Sequence, residues 1–172
     1  MNKPAAAAWL LASLGVAIVS TAVRAETWLT YQNDRYGTTI DYPGSFKPDP
    51  PPDNDDGRAF KSADGARFSV SASYGGIDSD LAAYRAFIVK HRDAGQAVTY
   101  QTSGRNWFVL SGTQGDRVFY ERHMLSHGGA MTEDFVISYP AAAKTAYDPI
   151  VVRMSKSFRS GTGFQTGGGK TR

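Results

Sequence analysis

The cleanest periodicity in the chain runs from residue 67 to 74. Phe68, Val70, Ala72 and Tyr74 alternate there with Arg67, Ser69, Ser71 and Ser73. Successive side chains of a strand point to opposite faces, so this segment predicts a strand with one buried and one wetted face. Asp64-Gly65 just before it is a hairpin-turn dipeptide, joining it to a strand over residues 58–61. Two earlier β-like runs cover 27–31 and 36–42, separated by the polar turn Gln32-Asn33-Asp34-Arg35 and closed by Pro43-Gly44. Between Lys47 and Gly57 stand four prolines and four aspartates, a composition that cannot sit inside a sheet.

The period then changes. Leu81, Tyr84, Ile88 and His91 are spaced three, four and three apart, which places them on one helix face. Asp78-Ser79-Asp80 supplies capping side chains ahead of them, and Gly95 is placed as the stop. Four β-like segments follow, over 97–102, 106–111, 117–125 and 131–139, divided by short Gly-containing turns. They predict an antiparallel meander. Trp107-Phe108-Val109-Leu110 is apolar on both faces and so belongs at its centre. Asp148-Pro149 reads as a cap followed by a first-turn proline, opening a last helix with the stripe Ile150, Val151, Met154 and Phe158. One-sided helices need a sheet to cover. The expected architecture is therefore α+β, an antiparallel sheet of six to seven strands covered by helices.

The ends change the charge picture. Lys3, the apolar run from Ala5 to Val19 and the small residues of Val23-Arg24-Ala25 read as a signal peptide over residues 1–25, cleaved after Ala25. The alternative is a retained anchor, because the stretch between Lys3 and Arg24 is uncharged and just long enough to span a bilayer. Residues 160–172 are Gly-rich with little to bury and read as a flexible tail, leaving one domain over 26–159. The full chain of 172 residues carries a formal charge of +3. Without Lys3, Arg24, Lys170 and Arg172, its 19 basic residues fall to 15 against 16 acidic ones. The body is neutral, so the basic excess gives no reason to expect nucleic acid as a partner. There is no cysteine, so an exported form is held together by packing alone.

Tyr31-Gln32-Asn33-Asp34-Arg35-Tyr36-Gly37 runs into Ile40-Asp41-Tyr42-Pro43 and Phe46, followed by the Asp64-Gly65 hairpin, Tyr139-Pro140 and a helix ending in Ser157-Phe158. This pattern resembles the PsbP/Mog-like α/β/α sandwich family, as found in small exported bacterial proteins, and covers nearly all of residues 28–158. Family members include photosystem II accessory subunits, a Ran-binding protein and secretion-adaptor chaperones. The resemblance implies a non-catalytic binding or assembly role, and it transfers no functional residue.

Candidate chemistry is sparse. Asp49, Asp53, Asp55 and Asp56 cluster on one loop, as calcium would require. Taking Gly57 as the invariant glycine of an EF-hand loop puts Pro52 at its first ligand position and Ala63 at its last, so that motif fails and a solvated turn is the competing reading. His123 and His127 are four apart at a strand end, with Glu121 and Glu133 available across a hairpin, yet they read as ordinary surface histidines. His91, on the helix stripe, reads as a partly buried core or boundary residue. No G-x-S-x-G, S-x-x-K or H-E-x-x-H motif occurs. Gly75-Gly76 reads as a capping turn, and Gly167-Gly168-Gly169-Lys170-Thr171 as tail rather than a phosphate loop. No catalytic or cofactor-binding residue is assigned, and the metal question stays open. The expectation is a periplasmic or secreted accessory protein with a protein or envelope partner. The alternatives are a small envelope hydrolase using Glu121, Glu133 or His123, and a secretion-adaptor chaperone.

Overall fold

The computed structural model describes residues 26–75 and 80–161. In chain order its strands are β1 (Trp28–Gln32), β2 (Thr39–Pro43), β3 (Lys47–Pro48), β4 (Gly57–Lys61) and β5 (Arg67–Tyr74), then helix α1 (Leu81–Lys90). Strands β6 (Gln96–Ser103), β7 (Trp107–Gln114), β8 (Arg117–Ser126) and β9 (Met131–Pro140) follow, and helix α2 (Lys144–Ser157) closes the fold. Seven strands form one antiparallel sheet in the order β3-β4-β5-β9-β8-β7-β6, while β1 and β2 make a separate hairpin. The meander is present as β6 to β9. The long-range step is β9 against β5, which pairs Phe68 with Ile137 and Val70 with Phe135.

Alternation sorts the sheet into two faces. On one, Phe60, Phe68, Val70, Phe135, Ile137 and Tyr139 pack against α2 and the β1–β2 hairpin, whose Tyr147, Val151, Met154, Ile40 and Tyr42 complete an aromatic core. Phe60 and Phe68 stack at 4.3 Å, and Tyr139 and Tyr147 at 4.6 Å. On the other face α1 lays Tyr84 over Phe108, Leu110 and Leu125. The result is helix, sheet, and helix with hairpin: an α/β/α sandwich.

Several sequence expectations shift. Pro48 does enter the sheet, but in a two-residue edge strand, where its missing N–H breaks no ladder. Trp107–Leu110 is not central, because β7 lies one strand from the edge and its apolar faces come from α1 on one side and the Arg122 guanidinium over Trp107 on the other. Helix α2 starts at Lys144, ahead of Asp148-Pro149. Asp148 therefore pairs with Lys144 one turn back instead of capping, and Pro149 lies inside the helix. Helix α1 is capped by Asp80, whose carboxylate accepts from the Ala82 N–H. It ends at Lys90, so Gly95 serves the turn into β6 with φ of +81°. Asp78, Ser79, Gly76, the leader over 1–25 and the tail from 162 lie outside the described residues.

Candidate functional site

Strand β8 brings Glu121 and His123 to the α1 face, because residues two apart share a side. The β8–β9 register sets His123 opposite Asp134. Helix α1 lowers Tyr84 onto that pair, and the chain just past the helix brings Arg92 down beside Glu121. These five side chains make one network. Arg92 donates to both oxygens of Glu121 at 2.9 and 3.1 Å, the forked geometry that suits a guanidinium and a carboxylate. His123 Nδ1 donates to Asp134 Oδ1 at 2.7 Å, and its Nε2 faces Glu121 Oε2 at 3.4 Å. The Tyr84 hydroxyl donates to the same Asp134 oxygen. Phe108 stacks on the imidazole at 4.7 Å, and Phe119 lies under the Arg92 guanidinium at 4.7 Å.

Burial and pairing compete here. Burial alone would push the His123 imidazole down, but its bonds to Asp134 and Glu121 and their negative charge overcome it and hold the group above its ordinary value of 6.5. Burial would push Glu121 up, and the bonds from His123 and Arg92 outweigh that and hold it below its ordinary range. The Tyr84 hydroxyl is held far above its ordinary value, by burial first and then by the Asp134 charge. The network thus sets two basic side chains, Arg92 and His123, against two acidic ones, Glu121 and Asp134, with the Tyr84 hydroxyl bonded above them. Ile88, His91, Gln96 and Val136 rim a hollow of about 220 Å³ above Glu121 and His123.

Glu133 is elsewhere. It sits opposite Met124 on the α2 face, completely buried, with Oε1 accepting from Thr38 Oγ1 at 2.6 Å and from the Gly161 N–H at 3.3 Å. Its Oε2 is buried and has no hydrogen-bond partner among the described residues. Gly161 is tightly enclosed, since a Cβ there would lie 2.0 Å from the Tyr36 carbonyl oxygen. A larger concavity of about 450 Å³ opens between the β1–β2 hairpin and the Pro-rich loop, lined by Tyr31, Gln32, Asp34, Pro51, Asp55 and Arg58 among others.

No family model matches the chain, and no curated protein matches its sequence. Solved structures do. Cyanobacterial PsbP (CyanoP) from Synechocystis sp. PCC 6803 superposes with a TM-score of 0.59 at 15% identity, over 87% of this chain and 98% of that one. The Ran-binding protein Mog1p of Saccharomyces cerevisiae superposes with a TM-score of 0.55 at 11% identity, over 79% and 96% of the two chains. The fold is that of the PsbP/Mog-like proteins.

Placed on this PsbP/Mog-like fold, the candidate residues separate. Glu121 and His123 meet, whereas Glu133 faces away from them, so the three do not form one site across the hairpin. His123 is not a surface histidine; it is 3% exposed. His127 lies in the β8–β9 turn and reaches the Gly161 carbonyl at 3.2 Å. His91 is an exposed residue against the Phe87 carbonyl rather than part of the core. Of the loop aspartates, Asp49 is paired with Lys61 at 2.9 Å and Asp56 accepts from Asn54 at 2.7 Å. Among the described residues no three His, Asp or Glu side chains converge as a metal ion would need. Sequence reading missed Arg92, Asp134 and Tyr84. Strand alternation is the signal that puts residues 121 and 123 on one face, but only the hairpin register reveals Asp134.

Proposed function

We propose that this chain is an exported, non-catalytic binding protein of the cell envelope, with a protein or envelope component as its partner. One observation carries the reading. Glu121 and His123, two of the three groups that an envelope hydrolase would use, are bound to Arg92 and Asp134 in a hydrogen-bonded network under α1, and the third, Glu133, is sealed in the opposite layer. Such a network ties a helix to a sheet, and where Glu121 and His123 line the hollow above them both are already bonded to partners within it. The resemblance in fold to PsbP and to a Ran-binding protein supports a binding role in this chain. The leader read over residues 1–25 supports export, and cleavage after Ala25 leaves the described fold, from Trp28 onward, whole.

The binding surface we assign is the cleft beside the β1–β2 hairpin. It combines the half-buried Tyr31 ring with Gln32, Asp34, Asp55 and Arg58, the mixture of aromatic and polar groups typical of protein interfaces. The test is crosslinking in living cells with tagged full-length chain, followed by titration of the captured partner against purified protein. Binding should weaken at least tenfold with Asp34→Lys, an exposed change, and persist with His123→Asn at a temperature where that variant is folded. A purified substrate turned over by the wild type and lost with His123→Asn at full folding would overturn the reading.

A further inference from the structure

The sheet ends on one side at β6, and among the described residues no strand lies beyond it. Its sequence, Gln96-Ala97-Val98-Thr99-Tyr100-Gln101-Thr102-Ser103, carries no charge, no proline and no glycine. Seven of these eight residues are exposed, Tyr100 by 56% and Val98 by 38%. Isolated edges usually carry lysine, proline or an inward charge that prevents pairing with another chain. The opposite edge does so, being two residues long with Lys47 and Pro48 as its whole length. Edge β6 has only its register shift between Val98 and Tyr100.

A second layer stands beside it. Arg85 of α1 reaches down to the Gln101 side chain, which fixes the flank of the helix that faces β6. Ala82, Ala86 and Val89 continue that flank at three- and four-residue spacing, and all three are exposed, Val89 by 49%. The helix is therefore apolar on a side that none of the described residues covers, a pattern expected of a helix with a packing partner.

We propose that β6 and this flank of α1 form the two-fold interface of a homodimer, in which the two β6 strands pair antiparallel and the α1 helices pack side by side above them. A second copy is the occupant because the surface has two layers. An extended peptide could complete the strand but would leave Ala82, Ala86 and Val89 exposed, whereas a second copy brings a strand and a helix already arranged to match. Along the strand itself self-pairing sets no like charges opposite each other, because β6 has none. The register shift near the middle of β6 limits the ladder to its two straight halves, so the helix layer is needed to hold the pair. This inference stands apart from the binding function above and uses none of its cleft residues.

Sedimentation equilibrium of the full-length chain, expressed from Met1 and recovered as the cell leaves it, tests this. The mass should rise with concentration from one chain towards two. Val98→Lys combined with Tyr100→Lys should weaken dimerisation at least tenfold, and Val89→Lys, which leaves the strand untouched, should weaken it too. Both sites are exposed, so unchanged thermal melting of the monomer confirms intact folding. Val152→Lys on the outer face of α2 should change nothing. A wild type that stays monomeric up to high micromolar concentration overturns the proposal and leaves the edge open to a foreign strand. A dimer indifferent to all these changes overturns it equally.

Discussion

On the α2 side of the sheet, Phe60, Phe68, Phe135, Tyr139 and Tyr147 meet ring to ring, and the buried acid there, Glu133, is held by a hydroxyl and a backbone N–H. On the α1 side the helix is ten residues long and rests on Tyr84, with an ionic network of Arg92, Glu121, His123 and Asp134 filling what apolar packing leaves. The first arrangement gains from area removed from water, which neither pH nor salt alters much. The second is a balance between the cost of dehydrating four charges and their mutual attraction, so it depends on every member being present and correctly charged. The ionic network therefore makes the α1 face the more pH-sensitive of the two near neutral pH.

The largest effect should come from the aromatic side. Phe135 is completely buried between Phe68, Tyr120 and Phe158, so Phe135→Ala should cost about 3–5 kcal/mol in urea unfolding. Its cost should be flat across the pH range in which the protein is folded. Arg92→Ala comes next, at about 3 kcal/mol near neutral pH, because it strands a buried Glu121 carboxylate. That loss should shrink at lower pH as the stranded acid takes up a proton. Replacing both partners, as Arg92→Met with Glu121→Leu, should restore most of the stability. If the double change is as damaging as the single one, the network contributes more than a paired charge and the contrast between the faces fails.

A smaller effect follows from the titration of the network. Glu121 is held below its ordinary 4.5, so its contribution is present above that pH and lost as pH falls through the lower folded value. His123 is held above its ordinary 6.5, so its contribution is present below that pH and lost as pH rises through the higher folded value. The α1 side should therefore be firmest between about 4.5 and 6.5 and loosen on either side. Amide exchange in α1 should accelerate from pH 6 to pH 8 by more than the intrinsic chemical rate, while α2 should not. His123→Asn should abolish the difference between the helices.

The two faces also differ in how legible they are in the sequence. The alternation of Phe68, Val70, Ala72 and Tyr74 is enough to mark a buried face, and the fold buries the first three. The turns at Asp64-Gly65 and Gly128-Gly129 locate the hairpins, because those glycines adopt positive φ that other residues avoid. The ionic network is illegible for a different reason. Arg92 lies 29 residues from Glu121, and Asp134 meets His123 only through the register of a hairpin, which depends on the length of its turn. Trp107–Leu110 misleads because a strand beside the edge can be covered on both faces when a helix and a cation each cover one. Pro149 misleads because propensity marks it as a helix start, whereas Lys144 and Tyr147 gain enough from Asp148 and from Asp64 with the aromatic core to begin the helix a turn earlier.

The finest distinction between the faces concerns their two buried glutamates. Glu121 has both oxygens bonded to a guanidinium, so Glu121→Gln would remove a charge that Arg92 and His123 need and should destabilise the fold clearly. Among the described residues Glu133 uses only Oε1, accepting from Thr38 and Gly161, while Oε2 has no partner. Glutamine keeps the accepting oxygen and nearly the same shape, and it places an amide nitrogen where the unpaired oxygen was. Glu133→Gln should therefore change stability by no more than about 1 kcal/mol. Glu133→Leu, which removes the acceptor altogether, should cost about 1–3 kcal/mol by leaving the Thr38 hydroxyl and the Gly161 N–H without it. Urea midpoints of the two variants, measured side by side, decide the matter: a Glu133→Gln as damaging as Glu133→Leu would mean that the charge itself, and not the single accepting oxygen, holds Thr38 and Gly161 in place.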